Sequence, residues 1–129
     1  YAQSKTANIL FVRSLAEKLD SKGLKAYTLH PGAAMGTSLS PHLGEDDWKE
    51  LSVLIREIRD PLDEKGTSFE FKTLNECAAT HVVAAFDRPL HGHNGAYLTD
   101  GNLARKGELR STATNPDDAD KLWKLSEIW

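Results

Sequence analysis

The sequence predicts an α/β fold in which helices and short strands alternate, the pattern of a parallel sheet joined by a right-handed crossover. Three observations predict it. A helical stretch free of Gly and Pro runs from Tyr1 to about Lys22. The segment LKAYTL (Leu24 to Leu29) is apolar on both faces, as a strand covered on each side should be. A second strand-like segment, AYLT, sits between Asn94-Gly95 and Asp100-Gly101-Asn102 after an intervening helix. Two parallel strands are too few for such a sheet, so the fold is expected to be incomplete.

Each element has its own local signal. In the first helix Ile9, Leu10, Val12, Leu15, Ala16 and Leu19 form a broad apolar stripe, and Gly23 is placed to end it in a left-handed cap. His30-Pro31-Gly32 stops the first strand, and a loop of small residues follows to Gly44. Trp48, Leu51, Ile55 and Ile58 then recur at helical spacing behind an acidic first turn of Glu45, Asp46 and Asp47. DPLDEKG breaks that helix. Thr73 with Glu76 makes a capping box that opens a third helix carrying Ala78, Ala79, Val82, Val83 and Phe86 and ending near Arg88-Pro89. Asn115-Pro116-Asp117-Asp118 starts the last helix, whose buried side is expected to be Leu122, Trp123, Leu125, Ile128 and Trp129.

Composition narrows the function classes. The 129 residues are 40% hydrophobic and 27% charged, which suits one globular domain and is too short for two good cores. A net charge of -3 argues against a nucleic-acid surface, which wants a basic face. No apolar run approaches the ~18 residues that span a membrane. The single cysteine, Cys77, excludes an intrachain disulfide and fits a reducing, cytoplasmic setting.

The chemistry lies in the opening YAQSK. Tyr1 and Lys5, at i and i+4, share one helical face. A phenol is a poor base at neutral pH unless a cation stabilises the phenolate, and Lys5 is placed to be that cation. The pair could pass a proton to or from an alcohol or carbonyl oxygen. A lone Tyr-x-x-x-Lys arises often by chance, and its bland alternative is a surface helix with a solvated lysine.

Context sharpens the motif. YAQSKTANILF, a strand ending in HPG, a Thr-containing loop and the helix-NGAYLTDG unit together resemble the C-terminal half of the short-chain dehydrogenase/reductase family, in its branch of retinol-dehydrogenase-like and fungal oxidoreductases. The ending LWKLSEIW resembles that branch too. The resemblance covers nearly the whole chain, least diagnostically from Pro41 to Lys72. It implies the C-terminal part of a Rossmann-type, doubly wound parallel sheet. Residues 1–129 would be one piece of a single NAD(P)-binding domain: catalytic helix, substrate loop and last two strands. It also implies NAD or NADP as cofactor and a small-molecule alcohol or carbonyl as substrate. The helix from Thr73 to Phe86 and the strand after it match a dimer interface of the family, so a homo-oligomeric parent is implied.

The family's site residues carry over by matching position. Tyr1 matches the general acid/base, and Lys5 matches the lysine that eases ionisation of that tyrosine and holds the nicotinamide ribose. Pro31 and Gly32 match the turn whose backbone approaches the nicotinamide, with Ala33 and Ala34 lining it. Thr37 matches the threonine that contacts the carboxamide or nearby phosphate. It stands five residues after Gly32, where four is usual, and Ser38 is an alternate hydroxyl.

Other parts of the family pattern are not in these residues. There is no G-x-x-x-G-x-G turn, no Asn-Asn-Ala-Gly strand end, and no catalytic Ser ahead of Tyr1. With no Met at its start, the chain is therefore expected to be a fragment that does not turn over by itself. His91 and His93 form an H-x-H, but Gly92 and the Asn-Gly beyond argue for a turn, and no metal site is expected. His30 is expected at a strand end beside the cofactor, His42 in a loop, and His81 on a helix surface. Cys77 and Trp123 are expected to pack, and Asp46, Asp47 and Glu50 to face a helix dipole. Two function classes remain: the acid/base half of an NAD(P)-dependent oxidoreductase, or a non-catalytic remnant that acts as a dimerising module of the same fold.

Overall fold

The computed structural model describes residues 1–34, 43–58, 71–105 and 107–128. Four α-helices and a small mixed sheet make up the fold. They are α1 (Ala2–Leu19), β1 (Thr28–His30), α2 (Glu45–Ile58), α3 (Leu74–Phe86), β2 (Tyr97–Thr99), β3 (Asn102–Leu103) and α4 (Pro116–Ser126). The expected α/β class is present, with β1 parallel to β2 and His30 opposite Thr99. The sheet runs β1-β2-β3, and β3 returns antiparallel to β2. Among the described residues no helix is long and apolar enough to cross a membrane.

The local signals work where they involve near neighbours. α1 tightens into a 3-10 turn over Asp20–Lys22, and Gly23 closes it at φ 77. Only a residue without a Cβ takes that backbone without strain. The capping box at α3 is complete: the Glu76 amide donates to Thr73 Oγ1 at 3.2 Å, and the Thr73 amide donates to Glu76 Oε2 at 2.8 Å. At α4 the Asn115 side chain accepts from the Asp117 amide at 2.9 Å, with Pro116 at the first helical position. The residues from 59 to 70, including all of DPLDEKG, lie outside the described part.

Three expectations need correction. The first strand is Thr28–His30, shorter than Leu24 to Leu29, because a side chain takes over the backbone ahead of it. Asn94 Oδ1 accepts from the Ala26 amide at 2.8 Å, and Asn94 Nδ2 donates to the Leu24 carbonyl at 3.0 Å. Secondly, the sheet is mixed. Asp100-Gly101 ends β2 as expected, but the chain then turns back as β3, a pair of residues too short to signal itself by periodicity. Thirdly, the buried side of α4 is not the apolar row the sequence suggests. Ala119 is buried, while Leu125 is 58% and Ile128 77% exposed. Close packing on α1 selects the small residue, with Trp123 stacked on Phe11 at 5.5 Å between centroids. Trp129 lies outside the described residues.

The core is thin. Leu98, fully buried at the centre of the sheet, joins Leu10, Ala16, Leu90, Ala113 and Ala119. α1 and α3 both rest on β1, α3 also meets β2, and α4 backs α1. Thr80 on α3 is 1% exposed, and its hydroxyl accepts from the Gly101 amide at 3.0 Å. That bond ties the helix to the carboxyl end of β2.

Candidate functional site

Topology decides which residues can share a site. The chain reverses at Gly23, so α1 runs antiparallel to β1 and its first residue returns toward the carboxyl end of the strand. The lengths agree: 18 helical residues rise about 27 Å, and the extended stretch 24–30 covers about 23 Å. Tyr1 and the His30-Pro31-Gly32 turn therefore lie at one end of the molecule. This is the carboxyl edge of the parallel strands, where ligands dock on sheets of this kind.

Tyr1 is the N-cap of α1 and is 81% exposed. Lys5 reaches back along the same face, with Nζ 5.2 Å from the centre of the Tyr1 ring. The Lys5 amide donates to the Tyr1 carbonyl at 3.0 Å, and the Ser4 hydroxyl does so at 2.7 Å. These bonds fix the first turn, so the ammonium and the phenol are held side by side.

The other two tyrosines have different work. Tyr27 donates its hydroxyl to the Leu90 carbonyl at 2.7 Å. Burial, aided by the Glu108 carboxylate, pushes the Tyr97 phenol above its ordinary value, which keeps it protonated. Of the three tyrosines, Tyr1 alone combines an open hydroxyl with a neighbouring cation.

At the turn, Gly32 has φ 95, and its amide donates to His30 Nδ1 at 3.0 Å. His30 thus closes the bend at the strand end. Pro31, Gly32, Ala33 and Ala34 are each half-buried. The face of Gly32 where a Cβ would stand holds the stem of Lys72, whose Cδ would be 2.5 Å from that atom. The Lys72 amide donates to the Ala33 carbonyl at 2.8 Å, and its ammonium pairs with Asp100 at the end of β2. Neither Lys72 nor Asp100 is among the candidate residues that the sequence marks. Asp100 closes the G-x-Y-x-x-D unit, which was a signal, whereas nothing near Lys72 in sequence marks it. Thr37 lies outside the described residues, as does Ser38.

His91 and His93 fall in a 3-10 turn over Arg88–His93. Among the described residues no group of three His, Cys, Asp or Glu side chains could hold a metal ion. A groove of about 450 Å³ lies at the other margin of the sheet, lined by His93, Tyr97, Leu103, Arg105 and Leu109 among others. None of its lining residues belongs to the Tyr1–Lys5 pair or to the Pro31–Ala34 turn. The Tyr1–Lys5 pair and the Pro31–Ala34 turn remain the candidate site.

No family model matches the chain, and no solved structure matches it. Curated proteins do. Retinol dehydrogenase 14 of Homo sapiens is 33% identical over 128 residues, covering 99% of this chain and 34% of its own length. Oxidoreductase calI of Penicillium decumbens is 31% identical over 135 residues, covering 98% of this chain and 37% of its own length. A probable oxidoreductase of Streptomyces lividans is 30% identical over 135 residues, covering 96% and 42%. The chain thus spans about a third of the length of the curated relatives it matches. Along nearly its whole extent the chain is similar in sequence to proteins named as retinol dehydrogenases and oxidoreductases.

Proposed function

We propose that this chain is the C-terminal, acid/base part of an NAD(P)-dependent oxidoreductase that interconverts a small alcohol and a carbonyl. The observation that carries this is the Lys5 ammonium 5.2 Å from the Tyr1 ring. The naming of its relatives as dehydrogenases and oxidoreductases supports it.

Tyr1 handles the proton on the substrate oxygen. In reduction its hydroxyl donates to the oxygen as negative charge develops there. In oxidation its phenolate takes the proton back, with the Lys5 ammonium balancing the charge. A bound nicotinamide would supply or accept the hydride at carbon. The residues present fit such a group: Gly32 bends the chain at φ 95 at the strand end, with the Lys72 stem covering one face of the bend, and the backbone of Pro31 to Ala34 would line the nicotinamide. Lys5 would hold the ribose, and Thr37 would hold the carboxamide or a phosphate. The choice between NAD and NADP belongs to residues other than these.

The test is Tyr1→Phe in a polypeptide that also carries a glycine-rich nucleotide-binding half. Turnover is expected to fall at least ~10²-fold, with dinucleotide affinity little changed. Full retained activity would remove Tyr1 from the mechanism. The chain by itself is expected to be inactive and to show no micromolar NADH or NADPH binding by fluorescence titration.

A second reading is favoured by α3. Val82 and Phe86 stand four residues apart on one stripe and are 56% and 79% exposed. Such a row suits a non-catalytic remnant that dimerises through this helix. A chain that pairs through α3, while its complete form shows no oxidoreductase activity, would establish that reading instead.

A further inference from the structure

We propose that Lys72 and Asp100 form a latch that fixes the Pro31–Ala34 turn to the end of β2, making Lys72 a positioning residue for the group that docks on that turn. Under the function proposed above, that group is the nicotinamide end of the cofactor, and the latch rests on that reading only for its occupant.

Lys72 engages the turn in three ways at once. Its amide donates to the Ala33 carbonyl at 2.8 Å. Its stem lies on the bare face of Gly32, where a Cβ would be 2.5 Å from Cδ and 3.1 Å from Cε. Its ammonium pairs with the Asp100 carboxylate. The glycine therefore serves the lysine: any side chain at position 32 would push the stem away, besides being strained at φ 95.

Asp100 is a firm anchor. His30 and Thr99 are partners in the parallel register, so Pro31 and Asp100 leave adjacent strands side by side. Asp100 adopts φ 52, a left-handed backbone uncommon outside glycine. Its neighbours hold it there. Asn102 Nδ2 donates to the Asp100 carbonyl at 2.7 Å, and the next amide, Gly101, donates to the buried Thr80 hydroxyl at 3.0 Å. The lysine is also shielded, with a side chain 26% exposed, whereas those of Lys49, Lys121 and Lys124 in other ion pairs are 74%, 72% and 71% exposed. The Asp100 side chain itself is 65% exposed, so what sets this pair apart is a partly covered lysine held against a fixed backbone, where an exposed pair between long side chains contributes little.

The experiment is amide hydrogen exchange on the chain as it stands, without cofactor. The variants are Lys72→Met, which keeps the stem and removes the charge, Asp100→Asn, the two combined, and Lys72→Arg. The amide of residue 72 is expected to exchange roughly three- to fivefold faster in Lys72→Met and in Asp100→Asn. The double variant should be no faster than either single, and Lys72→Arg should restore protection. The Asp87 and Ala113 amides, bonded to Val83 and Arg110 at 2.9 Å each, should not change. The latch is overturned if either single variant leaves residue 72 as it was, or if the two effects multiply. It is equally overturned if Asp87 and Ala113 speed up in step, since that marks general destabilisation. No cofactor enters this measurement, so the latch can fail while the Tyr1–Lys5 assignment stands, and a failed Tyr1→Phe test leaves the latch intact.

Discussion

Asn94 shows how much one side chain can organise. Its Oδ1 accepts from the Ala26 amide at 2.8 Å, and its Nδ2 donates to Asp20 Oδ1 at 2.8 Å and the Leu24 carbonyl at 3.0 Å. It thereby joins the end of α1, the approach to β1 and the turn before β2. With one short partly buried hydrogen bond at about 1 kcal/mol and two exposed ones contributing less, Asn94→Ala is expected to cost about 1–2 kcal/mol, measured by urea denaturation. A loss under about 0.5 kcal/mol would show that water replaces the amide. The sequence marks Asn94-Gly95 plainly as a turn, and it does so through backbone preference. The partners of the side chain lie as many as 78 residues away, which no local pattern encodes.

Among the elements, α3 carries the clearest link between sequence and energetics. Thr73→Ala removes the acceptor for the Glu76 amide and is expected to cost about 1 kcal/mol in thermal or denaturant unfolding. The reciprocal bond gives a pH dependence. The Thr73 amide, then the Thr73 hydroxyl, hold the Glu76 carboxyl below its ordinary value of 4.5. A depressed carboxylate stabilises the fold above the unfolded value, and that stabilisation is lost as pH falls through the folded one. Unfolding followed from pH 6 downward should therefore show a decline below about 4.5 that Glu76→Gln reduces. An unchanged acid profile in the variant would assign the decline to other carboxylates, among them Asp20, which Lys25 holds low, and Asp120, which Lys124 holds low. The box was legible because all its parts lie within four residues. The exposure of Leu125 and Ile128 on α4 was not, because it depends on which face of the helix α1 accepts.

For the whole molecule, the small core and the exposed apolar surface predict association. Among the described residues β1 pairs on one side only, with β2, so its other edge offers unpaired backbone groups. Phe86, 79% exposed, and Val82, 56% exposed, add an apolar stripe on α3. Sedimentation velocity is expected to show dimers or larger species at tens of micromolar. Phe86→Glu should shift them toward monomer if α3 carries the contact, and leave them unchanged if the β1 edge does. A monomer with one sharp thermal transition at these concentrations would contradict both routes.

By itself the sequence determined the α/β class, the four helices, the caps at Gly23, Thr73 and Asn115, the two parallel strands and the family resemblance. It also set Tyr1 and Lys5 on one helical face, where the structure finds them. All of these rest on spacings of a few residues, where propensity, capping and periodicity act. Tertiary structure alone decided that Asn94 shortens β1, that β3 turns the sheet mixed, and that Lys72 covers Gly32 and reaches Asp100. Those outcomes depend on close packing and on hydrogen bonds between segments far apart in the chain, which exist only once the backbone has brought them together.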